Sequence, residues 1–145
     1  MPTDLGNPYR IDWRGRPPHM LDPDVPVWYR FLDSYGPYFK RLFYDSLLGG
    51  PFMTPEQLAD PIMKMWRTNT AKRTDAIAEL ENEIWIIEVA SYPGLRSLGQ
   101  LQVYENLWRE APGLPGTVRL VLVCERIDQD LGAAAAKQGV MIYIV

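Results

Sequence analysis

The sequence predicts an α/β domain in which helices pack on the faces of a mixed sheet. Three patterns carry that reading. Two β-rich runs on either side of Glu81-Asn82-Glu83 read as a hairpin. Apolar residues at three- and four-residue steps mark one helix ahead of the hairpin and one after it. Two nearly continuous apolar runs, 117–124 and 140–145, read as buried strands joined by an alanine-rich helix. An antiparallel hairpin followed by strand–helix–strand units implies a sheet of mixed direction.

Residues 1–26 hold Pro2, Pro8, Pro17, Pro18, Pro23 and Pro26, six of the 13 prolines, and show no helical or strand period. Proline fixes φ and removes a donor, so such a segment favours an extended form. The expectation is an extended arm over 1–26, packed on its own domain or along a neighbouring chain, and one domain over 27–145. From Val27 to Leu48, the residues Trp28, Phe31, Leu32, Tyr35, Phe39, Leu42, Phe43 and Leu47 recur at helical spacing. That predicts a helix broken at Gly36-Pro37 and stopped at Gly49-Gly50-Pro51. Thr54-Pro55-Glu56-Gln57 supplies an N-cap and a first-turn proline for a short helix to about Ala59.

Runs 62–68, 72–80 and 84–90 read as strands. Leu95 to Arg109 returns to helical spacing, with Leu98, Leu101, Tyr104 and Trp108 on one face, until Ala111-Pro112-Gly113 ends it. Thr117–Cys124 is a strand, 126–138 a small helix capped by Gly139, and 140–145 a last strand.

Composition narrows the chemistry. A chain of 145 residues suits one domain. Its formal net charge of −3 and pI of about 5.1 give no global basic field for nucleic acid. A single cysteine, Cys124, excludes a disulfide framework and a cysteine-rich zinc site. A single histidine, His19, excludes paired-His metal motifs and reads as a loop surface residue. No apolar run reaches the roughly 18 residues of a membrane span, and MPTDLGNPYR lacks a signal-peptide core. The expected location is the cytoplasm, or a particle assembled inside a cell. Trp13, Trp28, Trp66, Trp85 and Trp108 read as core or interface anchors.

The sharpest constellation lies on the predicted hairpin. If its turn centres between Glu81 and Asn82, Asp75 and Glu88 face one another across the ladder. Two acids among apolar neighbours repel and are poorly solvated unless a cation joins them, and Mg²⁺ suits a carboxylate pair. The alternative is a solvated or ion-paired hairpin pair without a metal. Lys64, Arg67, Lys72 and Arg73 cluster on neighbouring predicted strands, where they would contact phosphates or simply form a solvated face.

Asp75, then Ile86-Ile87-Glu88-Val89-Ala90, then Gln100-Leu101-Gln102-Val103-Tyr104, resembles a PD-(D/E)xK nuclease core. The resemblance implies an αβββαβ core over about 27–145. It implies that Asp75 and Glu88 bind the metal, while Gln100 and Tyr104 form the helix motif that positions the site or the DNA backbone. Where the family has lysine, this chain has Ala90. Positions i and i+2 of a strand share a face, so that lysine would sit beside the metal. Arg96 and Arg73 are the stand-ins within reach. Asp33 and Asp45 are weak counterparts of an acid on the family's first helix.

The compact domain with an extended arm is also similar to small virion, neck or connector proteins of tailed bacteriophages. That likeness implies a homo-oligomer, or contacts with other subunits, made through the arm, in the host cytoplasm or in the virion. Two functions stay open. One is a catalytically degenerate nuclease fold acting as a structural or binding module with no cofactor. The other is an active Mg²⁺-dependent DNA endonuclease.

Overall fold

A computed structural model describes residues 3–145; Met1 and Pro2, the start of the expected arm, lie outside the described residues. The first helix, α1 (Val25–Tyr35), has Pro26 in its first turn and buries Val27, Trp28, Phe31 and Leu32. Gly36–Tyr38 tightens into a 3-10 turn around Pro37. The chain then leaves the helix for β1 (Arg41–Tyr44) and β2 (Leu47–Leu48). The predicted helix to Leu48 therefore ends at Tyr35. Leu42 and Tyr44 enter one core and Phe43 the other, so the period there is two, not 3.6.

Next comes α2 (Pro55–Ala59), held by a capping box between Thr54 and Gln57. It is followed by α3 (Pro61–Thr70), where a strand over 62–68 was expected. Asp60 caps α3 by accepting the Ile62 N–H at 2.9 Å, and Pro61 occupies its first turn. Lys64 and Arg67 consequently sit on a helix rather than on strands beside the hairpin.

The expected 72–80 strand divides into β3 (Lys72–Arg73) and β4 (Ala76–Glu79). Then follow β5 (Glu83–Val89), α4 (Leu95–Glu110), β6 (Thr117–Cys124), α5 (Gln129–Lys137) and β7 (Met141–Ile144). These agree with the sequence reading to within a few residues. The five-stranded sheet runs β1-β4-β5-β6-β7, antiparallel on the β1-β4-β5 side and parallel on the β5-β6-β7 side. The chain is thus a mixed α/β domain. A separate ribbon pairs β2 with β3.

Both sheet faces are covered. Trp85, Ile87, Val89, Val121 and Val123 pack with α1 on one face. Ile84, Ile86, Leu120 and Leu122 pack against Leu98, Leu101, Tyr104 and Trp108 of α4 and Leu131 of α5 on the other. Two buried faces explain why β6 reads as a continuous apolar run rather than an alternation. The buried Trp28 Nε1–H finds the Tyr44 hydroxyl at 2.8 Å, which keeps its polar atom satisfied inside the core.

The proline-rich segment lies on its own domain. The Asp4 and Leu47 backbones exchange hydrogen bonds, and the Tyr9 N–H donates to the Leu42 carbonyl at 2.8 Å, covering the outer edge of β1. Tyr9, Trp13 and Tyr44 form an aromatic cluster with ring centroids 4.9–5.9 Å apart. Met20 is 1% exposed, so the segment ends in a core anchor. Met20→Ala is expected to cost about 2–5 kcal/mol of unfolding free energy in a urea titration, as other buried truncations do. A loss within error of zero would show that this anchor carries no load.

Candidate functional site

The hairpin register pairs Ala76 with Ile87, and so brings Asp75, one residue before β4, opposite Glu88 on β5. The sequence expectation for these two acids has the same register. Glu88 is 7% exposed, on the α4 side of the sheet. Asp75 Oδ2 accepts the Val89 N–H at 2.8 Å. The two carboxyl groups are themselves hydrogen-bonded. Burial is the largest influence on both and pushes both upward, Glu88 to about 10. The neighbouring Asp75 charge adds to the rise at Glu88, whereas the hydrogen bond favours the charged form of Asp75. The pair therefore keeps a proton at neutral pH, shared between the two carboxyl groups.

A pocket of about 440 Å³ opens above this pair. Ala90, Arg73, Arg96, Gln100 and Tyr104 all line it, so the residues singled out between 73 and 104 converge on one place. Ala90 continues the β5 direction, its N–H donating to the Val123 carbonyl at 3.0 Å, and it lies two residues beyond Glu88. Helix α4 brings Arg96, Gln100 and Tyr104 to the same wall because its apolar face is turned onto β5 and β6. The Tyr104 hydroxyl donates to the Arg73 carbonyl at 2.9 Å, and burial raises its pKa.

The two arginines differ. Arg73 is tied bidentately to Asp45, with Nε–Oδ1 at 2.8 Å and Nη2–Oδ2 at 2.7 Å, and its Nη2 lies 2.5 Å from His19 Nε2. Arg96 shares the pocket wall, and its charge is felt by Glu88 as an opposing pull.

Lys64, Arg67 and Lys72 do not line the pocket. Lys64 and Lys72 are exposed, and Arg67 is buried on α3. Asp33 is at the surface with Arg14, 2.8 Å away, whereas Asp45 faces the pocket.

Several pocket residues carried no signal in the sequence. Asp24 lines the pocket from the start of α1, and its Oδ1 accepts the Ser91 N–H at 2.9 Å. Its charge also raises both Asp75 and Glu88. His19 enters from the N-terminal segment; it is exposed, as the surface reading has it, and it also borders the pocket. His19 and Asp45 are the only non-glycine residues with positive φ among the described residues, at 62° and 53°, and both meet Arg73. Thr74 lies beside Asp75, and its hydroxyl has no hydrogen-bond partner among the described residues. Asp24 sat in plain view as the acid of Asp-Pro-Asp ahead of a helix; that signal marks a helix start but not a pocket.

Two buried, proton-sharing carboxylates are the right donor chemistry for a hard cation, which would replace the shared proton. Among the described residues, no group of three or more His, Cys, Asp or Glu side chains is placed to hold a metal ion. A Mg²⁺ at this position would therefore rest on Asp75 and Glu88 and complete its shell with water or ligand oxygens, its usual habit. No helix among the described residues is long and apolar enough to cross a membrane. Searches of family models, curated proteins and solved structures find no match to this chain.

Proposed function

We propose that this chain is a degenerate PD-(D/E)xK-type nuclease fold that binds or scaffolds rather than cleaves. The observation that carries the reading is Ala90. A methyl group lines the pocket two residues beyond Glu88, where the nuclease family places an ammonium. That ammonium would hold the attacking water and oppose charge developing on the phosphate. Losing one preorganised group of this kind costs about 10²–10³ in rate. Arg73 is no substitute, because Asp45 already takes its guanidinium bidentately. The element order α1-β1-β4-β5-α4-β6 and the acid pair support the lineage; the bacteriophage neck role expected from the arm gains nothing from an arm that packs on its own domain.

One observation favours the alternative of an active Mg²⁺-dependent endonuclease: Arg96 lines the pocket and acts electrostatically on Glu88. In that case a bound Mg²⁺ supplies Lewis-acid stabilisation of a phosphoryl oxygen. Asp75 and Glu88 would hold it, and Arg96 would offer charge but no base, since guanidinium stays protonated. Incubating plasmid DNA with the protein and Mg²⁺ or Mn²⁺ separates the two readings. No nicking above background is the expected result. Nicking that disappears in Glu88→Ala would overturn the degenerate reading and establish the enzyme.

A further inference from the structure

We infer that β7 is a homodimer interface, where two copies of the chain join edge to edge through Ile142 and Ile144. The inference stands on the sheet edges and is independent of the pocket and of any nuclease lineage.

The two edges of the five-stranded sheet are treated differently. At β1 the N-terminal segment covers the edge, with the Tyr9 N–H on the Leu42 carbonyl, and Arg41 adds a charge. Covering and charge are the usual protections of a strand edge. At the other end of the sheet, β7 pairs only with β6, and no second strand lies outside it among the described residues.

Its backbone orientation follows from one bond. The Val145 N–H donates to the Cys124 carbonyl at 2.9 Å, so Val145 is turned towards β6. In a parallel ladder alternate residues turn both their N–H and C=O to the same side. Tyr143 and Met141 are therefore also turned to β6, and Ile142 and Ile144 direct their backbone groups outward.

The segment 140–145, Val-Met-Ile-Tyr-Ile-Val, has no charge, no proline and no glycine. It carries neither the charged side chains nor the proline that block edge pairing. Ile144 is 62% exposed, a large apolar side chain on an uncovered strand.

The composition also selects the occupant. An uncharged, β-branched strand meets an antiparallel copy of itself with no like charges opposed. With outward-facing groups at 142 and 144, a two-fold axis at Tyr143 pairs Ile142 with Ile144 of the second copy, and Ile144 with its Ile142. Each such pair exchanges both N–H···O bonds. Tyr143 then meets its own copy in the closer, non-hydrogen-bonded position. Tyr35 already lies beside Tyr143, with ring centroids 4.8 Å apart, and extends the aromatic surface on that face. The contact is isologous and closes on itself, as a two-fold dimer requires.

Light scattering on a sizing column, followed by dilution, tests the assembly. A concentration-dependent dimer is expected, and its amides at 142 and 144 should gain hydrogen-exchange protection that dilution removes. Ile144→Lys places two ammonium groups at diagonal positions about 7–8 Å apart across the junction. It should weaken dimerisation by about tenfold or more. The position is exposed, so folding should survive, as an unchanged circular dichroism spectrum would show. Leu95→Lys, at an 81% exposed position on α4, should leave the dimer intact. A chain that stays monomeric at its solubility limit overturns the inference. So does a dimer that Ile144→Lys leaves unchanged, or one without added protection at 142 and 144.

Discussion

Glu88→Gln is expected to make the protein more stable than the parent at alkaline pH and to leave it nearly unchanged near pH 5. The cause is the buried carboxyl pair. Burial first, and the Asp75 charge second, raise Glu88 to about 10, far above an unfolded-state value near 4.5. The folded state therefore binds more protons than the unfolded state throughout that interval. Unfolding free energy falls as pH rises when the native state holds the extra proton. Asp75 is shifted in the same direction, so it does not cancel the slope. One such group costs at most about 1.4 kcal/mol per pH unit. Between about pH 6 and about pH 9 the parent should lose up to roughly 4 kcal/mol from this source. Glutamine removes the titration and still donates a hydrogen bond to Asp75, so the variant's profile should be flatter. Thermal melts across pH measure the difference. If parent and variant show parallel profiles, the carboxyl groups are not buried together.

Divalent cations extend the same test. A hard cation that displaces the shared proton would stabilise the parent most where the pair is least comfortable, above neutral pH. Mg²⁺ should then raise the melting temperature of the parent in that range, and should do nothing for Glu88→Gln.

The acid pair was legible because its geometry is local. The hairpin turn is short and polar, the two strands are regular, and thirteen residues of spacing fix the partners. The helix at 95–110 and the strands at 117–124 and 141–144 were legible for a similar reason, since one period runs through each. The misreadings arose where two periods coincide. Phe39, Leu42, Phe43 and Leu47 satisfy helical steps, yet Leu42 and Phe43 bury on opposite sheet faces as a strand does. At 62–68 the apolar Ile62, Met65 and Trp66 also suit a helix. The deciding signal was Asp60-Pro61, a cap followed by a first-turn proline. The pocket walls were not legible at all. His19 meets Arg73 across 54 positions of sequence, and Ser91 meets Asp24 across 67. Such convergence is a property of tertiary packing and leaves no spacing to read.

Ala90→Lys is expected to have the largest effect on chemistry, and it acts through the same pair. Ala90 is half-buried on the pocket wall, so a lysine stem can lie against the protein while its ammonium reaches the carboxyl groups. An added positive charge beside buried acids favours their ionised forms and lowers their pKa values. Part of the alkaline loss of stability should therefore disappear, even with no nucleic acid present. With plasmid DNA and Mg²⁺ or Mn²⁺, the variant should nick the substrate about 100–1,000 times faster than the parent. The gain should vanish when Glu88→Gln is added. Each readout isolates a different part of the reading. A flattened pH profile without nicking would keep the pocket geometry and remove the access that DNA needs. An unchanged pH profile would mean that position 90 does not face the acids, and Ala90 would then say nothing about lost catalysis.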